Sequence, residues 1–182
     1  YMKYLLCNHK TKILIFISLC AFSCNTVEPP TPLPEYDSID EAPAWSPDGE
    51  WIAYHHFNRN LEDSLYPTGL YIIDTNGNNR RLVIAGPAYN PDWSPDGNEI
   101  VFRYDEIYTI KIDGSDLRQI TSVGQAYFPS WSPDGKKIAF DTGYNDSSGA
   151  KAIWVINNDE NDLRDISQHY TGEWRMPDWS PE

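Results

Sequence analysis

Along most of the chain, apolar and polar positions alternate in short runs bounded by turn residues. Trp51-Ile52-Ala53-Tyr54, Glu99-Ile100-Val101-Phe102 and Lys137-Ile138-Ala139-Phe140 form one set. Leu70-Tyr71-Ile72-Ile73, Ile107-Tyr108-Thr109-Ile110 and Ile153-Trp154-Val155-Ile156 form a second, and Arg81-Leu82-Val83-Ile84, Leu117-Arg118-Gln119-Ile120 and Leu163-Arg164-Asp165-Ile166 a third. Runs of four with β-branched and aromatic residues between Asn, Asp and Gly clusters predict β-strands. Each first-set strand follows the same phrase: Pro43-Ala44-Trp45-Ser46-Pro47-Asp48-Gly49, Pro91-Asp92-Trp93-Ser94-Pro95-Asp96-Gly97 and Pro129-Ser130-Trp131-Ser132-Pro133-Asp134-Gly135. A fourth copy, Pro177-Asp178-Trp179-Ser180-Pro181-Glu182, begins and is not completed. The phrase reads as a strand entering a tight turn: proline presets φ at the first central position, aspartate suits the second, and glycine supplies the positive φ after it.

The four tryptophans are 48, 38 and 48 residues apart. Self-similarity near 40 to 45 residues, with four strands in each repeat, predicts an all-β fold of β-propeller blades, each of four antiparallel strands. About three complete blades and the start of a fourth are present, an incomplete ring. The run Pro129-Ser130-Trp131-Ser132-Pro133-Asp134-Gly135-Lys136-Lys137-Ile138-Ala139-Phe140, with the closing Arg118-Gln119-Ile120-Thr121, resembles the TolB-type, WD40-like β-propeller repeat across residues 42–182. Tyr1 precedes Met2 and the fourth phrase stops part-way, so the chain is expected to be a portion of a longer protein. The repeated tryptophans Trp45, Trp93, Trp131 and Trp179 are expected to pack between blades.

The beginning of the chain has a different pattern. Lys3, Lys10 and Lys12 precede ten apolar or small residues, 13–22, and then Ser23-Cys24. A helix that crosses a bilayer needs about 20 residues, so residues 1–23 are expected to be a signal peptide. Ala21-Phe22-Ser23-Cys24 resembles the lipobox of bacterial lipoproteins, which implies cleavage before Cys24 and its lipidation. Several acyl chains at about 0.8 kcal/mol per buried CH₂ would make that anchor stable. Residues 24–41, with Pro29, Pro30, Pro32 and Pro34, are expected to form a stiff tether.

Charge and cysteine usage narrow the function classes. The 182 residues carry a formal net charge of −13, and the part after residue 24 holds 27 acidic and 11 basic residues, a net of −16. Such a surface repels phosphates, which sets aside nucleic acid and anionic headgroups as partners. All three cysteines, Cys7, Cys20 and Cys24, lie in the leader, so stability is expected to come from packing without disulfides.

In an up-and-down blade the first-to-second and third-to-fourth strand turns share one end. The longer connections, 55–69 and 141–151, share the other end with the links between blades. Loops of uneven length with aromatics on a rigid scaffold are where binding concentrates. The candidate binding residues are therefore Tyr89, Asn90, Tyr127, Phe128, Trp174 and Arg175 in the inter-blade links, and His55 and His56 at the start of the longest connection. The histidine pair lacks a third ligand at readable spacing, so no metal is expected. The acidic stretches at 74–78, 113–116 and 157–162 lack Glu at the twelfth position of a calcium loop and read as turns. No cofactor is implied, and no Gly-x-Ser-x-Gly elbow, His-Glu-x-x-His pair or phosphate loop is present, so no catalytic residue is assigned.

Together these features predict a lipoprotein of the bacterial cell envelope, at the outer membrane on its periplasmic or surface side. Its propeller binds an envelope protein or glycan, without enzymatic activity of its own. The alternative is the propeller part of an enzyme, either a prolyl-oligopeptidase-type serine peptidase or a propeller-fold pectic lyase. The lyase would need further histidines to converge with His55 and His56 on one metal.

Overall fold

The computed structural model describes residues 38–59, 65–142, 152–167 and 176–180, all within the compact unit Tyr36–Glu182. Every element assigned among them is a β-strand. Strands β1 (Ser38–Trp45), β2 (Trp51–Asn58), β3 (Gly69–Asp74) and β4 (Arg81–Ala85) form the first sheet. The second contains β5 (Tyr89–Trp93), β6 (Glu99–Arg103), β7 (Ile107–Lys111) and β8 (Arg118–Gln119). The third contains β9 (Ala126–Trp131), β10 (Lys137–Thr142), β11 (Ala152–Asn157) and β12 (Arg164–Asp165). Neighbours in each sheet are antiparallel and consecutive in sequence. These are three propeller blades, and among the described residues they do not close into a ring.

Each Ser-Pro-Asp-Gly phrase closes its hairpin with the same hydrogen bonds. Gly49, Gly97 and Gly135, at φ 72°, 72° and 69°, donate their amides to the carbonyls of Ser46, Ser94 and Ser132 at 2.9 Å. Those serine hydroxyls accept the amides of Trp51, Glu99 and Lys137, also at 2.9 Å, and donate to Asp48, Asp96 and Asp134. Each aspartate also accepts the amide two residues on, from Glu50, Asn98 or Lys136. The serine bond, then the backbone bond at Asp48 and Asp134, holds these carboxyls below their ordinary range; at Asp96 the Asn98 side chain adds to it. The phrase is thus a turn closed in the same way in all three blades.

The two cores lie between sheets, because the middle strands are buried on both faces. Ile100 and Phe102 of β6 join Trp93 and Ile110 against Ala53, Leu70, Ile72 and Val83 of the first sheet. Val101, which points the other way, joins Ile107 and Ile120 against Trp131, Ile138 and Phe140 of the third. Period-two alternation therefore yields three consecutive buried residues where both faces are covered.

Two expectations need correction. Trp93 and Trp131 are each 5% exposed and pack between sheets, but Trp45 is 63% exposed. The same position in β1 faces a side on which no described blade lies. The first strand also starts at Ser38, before the expected blade boundary at 42, since Ser38–Glu41 pairs with His55–Asn58 of β2.

Candidate functional site

The first strand of every blade contains a bulge next to its phrase. Ala42, Asn90 and Phe128 at these bulges, and Met176 before the fourth phrase, each followed by proline, have φ of 52°, 51°, 49° and 52°. For a residue with a side chain this left-handed geometry costs about 1–2 kcal/mol. The register slips at the same place, between Glu41 and Ala44, between Tyr89 and Asp92, and opposite Ala139 to Asp141. A bulge bends the strand and re-aims the side chains before it.

Those re-aimed positions form a ladder across the blades. Glu41 pairs with His55, Tyr89 with Arg103 and Tyr127 with Asp141, each pair directly opposite across its first two strands. The His55 ring lies 4.4 Å from the Tyr89 ring of the next blade. The Arg103 guanidinium sits 4.1 Å from the Tyr127 ring centre and 5.5 Å from that of Tyr89. His55 Nδ1 meets Glu41 Oε1 at 3.2 Å, and Asp141 accepts the Met176 amide at 3.1 Å. A continuous row, Glu41–His55–Tyr89–Arg103–Tyr127, thus crosses from the first blade to the third.

Burial acts on the histidine of this row. His55 is fully buried, and burial lowers its pKa more than the Glu41 carboxylate raises it, so the imidazole is neutral at pH 7. Its Nε2 has no hydrogen-bond partner among the described residues. Arg103 is half-buried and takes part in no ion pair among the described residues, and its Nε is buried without a hydrogen-bond partner. Two tyrosine faces partly compensate a guanidinium, but not as a carboxylate would.

The predicted residues are therefore distributed differently from the expectation. His55 and His56 belong to β2, not to a loop. Tyr89 and Asn90 belong to β5, and Tyr127 and Phe128 to β9. His55, Tyr89 and Tyr127 come together in the row, with the Phe128 ring 6.5 Å from Tyr127. Trp174, Arg175 and Cys24 lie outside the described residues. His56 is on the opposite face of β2, bonded to Asp40 at 2.6 Å and edge-on to Tyr71 at 5.4 Å. Adjacent strand residues point to opposite faces, so the two imidazoles cannot converge on one ion. That removes the geometry the pectic-lyase alternative required.

Sequence reasoning missed Glu41, Arg103 and Asp141. The available signal was repeat position: Glu41 stands four residues before its phrase tryptophan as Tyr89 and Tyr127 do, and Arg103 and Asp141 stand ten after theirs as His55 does. It also missed Asp92, whose carboxylate accepts the Trp131 amide of the next blade at 2.7 Å and whose pKa burial raises. The acidic turns satisfy themselves: Asp74 accepts Asn76, Asn78 and the Asn79 side chain, and Asp113 accepts Ser115 through both amide and hydroxyl.

The TolB β-propeller domain model matches residues 29–182. Among solved structures, a putative TolB from Agrobacterium tumefaciens aligns at TM-score 0.61 and 23% identity, over 70% of this chain and 48% of that one. TolB from Acinetobacter baumannii aligns at 0.55 and 19%, over 69% and 31% of the two chains. Acylaminoacyl peptidase from Pyrococcus horikoshii aligns at 0.55 and 18%, over 75% and 26%. The chain thus spans about half or less of each of these proteins. No curated protein matches it. With the match extending over all three blades and the repeated phrase, the chain belongs to the TolB β-propeller domain family.

Proposed function

We propose that this protein is an interaction module of the bacterial cell envelope, anchored by lipid at Cys24. Its propeller engages a protein or glycan partner through the row Glu41–His55–Tyr89–Arg103–Tyr127. The observation that carries this reading is Arg103: a half-buried cation between two tyrosine rings with no carboxylate partner among the described residues. Aromatic and arginine side chains on a rigid support are the groups that dominate binding energy at interfaces. The bulges cost backbone strain at each blade and aim these groups; strain of that kind concentrates where a surface is used.

The test has two arms. Cys24→Ala is expected to release the protein from membranes and abolish labelling by a fatty-acid analogue; unchanged partitioning contradicts the anchor. Tyr127→Ala is expected to reduce capture of a partner from solubilised envelopes, or of a glycan from an array, about tenfold or more, as loss of an interface anchor does. Undiminished capture contradicts the row as the binding surface.

A second reading is the propeller of a peptidase, favoured by the alignment with acylaminoacyl peptidase. It predicts an α/β-hydrolase domain with a nucleophile elbow elsewhere in the full-length protein, and sequencing of the gene distinguishes the two.

A further inference from the structure

The blades share an aromatic arrangement that is filled in one and open in the next. In the first blade, the Tyr54 and Tyr71 rings stack at 6.0 Å and 25°, and His56 meets Tyr71 edge-on at 76°. In the second, Phe102 and Tyr108 stack at 6.0 Å and 23°, and Tyr104 meets Tyr108 edge-on at 73°. These are the same repeat positions, one residue set for another.

In the first blade this box holds a guanidinium from the chain itself. Arg80 lies 4.5 Å from the ring centre of Tyr66, 4.6 Å from Tyr71 and 5.6 Å from Tyr54, with Asp40 at 3.8 Å. The hairpin that delivers it is matched in the second blade. Asp74 bonds Asn78 as Lys111 bonds Ser115, and Asn79 and Asp116 take φ of 53° and 57°. The next residue is Arg80 in one blade and Leu117 in the other.

Leu117 is too short and uncharged to fill the second box, and it is 50% exposed, as is Tyr104. An open cleft of about 300 Å³ remains between Phe102, Tyr104, Tyr108 and Leu117 on one wall and residues 84–87 on the other. Gly86, at φ 102°, lies on the second wall, where a Cβ would meet nothing within 4 Å. A carboxylate again stands beside the rings: Asp105 accepts the Tyr108 hydroxyl at 3.3 Å.

We infer that the cleft between the first and second blades is a docking site for an arginine side chain of a protein partner, which takes the place that Arg80 fills in the first blade. Tyrosine faces and Asp105 receive the guanidinium, and Leu117 and Ile84 receive its aliphatic stem. The net charge of −13 favours approach of such a cationic segment. The inference stands on the repeat geometry and is independent of the row at Arg103.

The test uses the full chain with isotope-labelled leucine methyls and tyrosine rings, titrated with N-acetyl-Gly-Arg-Gly-amide and with the same peptide carrying neutral citrulline. The arginine peptide is expected to shift the Leu117 and Tyr104 signals saturably, with citrulline binding about tenfold more weakly. Leu117→Arg, which restores the first-blade arrangement, is expected to abolish the shifts, and Tyr104→Ser, an exposed change, to weaken them several-fold. Equal binding of the two peptides, or binding indifferent to both variants, overturns the inference. Lys136→Ala, an exposed change on a Ser-Pro-Asp-Gly turn, is expected to leave this titration unchanged.

Discussion

Arg103 lies 4.1 Å from the ring centre of Tyr127, although the two belong to neighbouring blades and Tyr127 pairs within its own blade with Asp141. The same relation joins His55 to Tyr89 one blade earlier. In the first two blades a residue of the second strand therefore rests on the aromatic that opens the next blade. The repeat that builds the scaffold also builds the row.

Tryptophan substitutions should separate scaffold from surface. Trp93 donates its indole N–H to Ala44 in the preceding blade at 3.0 Å and is 5% exposed. Trp93→Ala is expected to cost about 3–5 kcal/mol in chemical denaturation. Trp45, at 63% exposure, should tolerate the same change within about 0.5 kcal/mol. Equal losses at both positions would show that the face of the first blade is covered in solution.

Gly69 tests the pairing of β3 with β4. A Cβ there would fall 2.5 Å from the Ile84 carbonyl oxygen and 2.5 Å from a Leu82 methyl, the first of which is backbone and cannot step aside. Gly69→Ala is expected to destabilise by about 1–3 kcal/mol, measured by thermal or urea unfolding. A neutral result would mean that the outer strand of the first blade is free to shift.

Two groups of residues contribute to the acid limb of stability. His55 has a folded pKa below its ordinary 6.5, so the unfolded chain binds more protons and stability falls as pH drops below 6.5. His55→Gln should flatten that part of the profile. Asp48, Asp96 and Asp134 have folded pKa values below the ordinary 3.8; their contribution is present above that value and is lost as pH falls through the folded values. The triple Asp→Asn variant should make the profile shallower in that lower range, where Asp74 and Asp113 still contribute, and leave the His55 part intact.

The blades were legible in the sequence because each local signal pointed to the same element: period-two runs, a Pro-Asp-Gly turn and a tryptophan recurring in register. The rim was legible only in part. Placing Tyr89, Tyr127 and His55 in loops followed from the assumption that strands end where their apolar alternation ends. The structure extends them, because β1 still pairs with β2 beyond the bulge through Asp40–His56 and Glu41–His55. Nothing in Ala42, Asn90, Phe128 or Met176 announces a left-handed residue, since three of the four side chains are not ones that favour it. Arg103 was missed because it closes an ordinary strand, and its place between two tyrosine rings is visible only once its neighbours are in position.

The most direct test of the account compares wild type, Arg103→Gln and Lys136→Ala for recovery of partners from solubilised envelopes by quantitative cross-linking. Lys136 is an exposed side chain on the Ser-Pro-Asp-Gly turn at the other end of the blade. The account predicts that Arg103→Gln loses a specific cross-linked species that Lys136→Ala retains, with unfolding midpoints unchanged in both. Equal recovery with all three proteins, or loss confined to Lys136→Ala, would contradict a binding surface centred on Arg103.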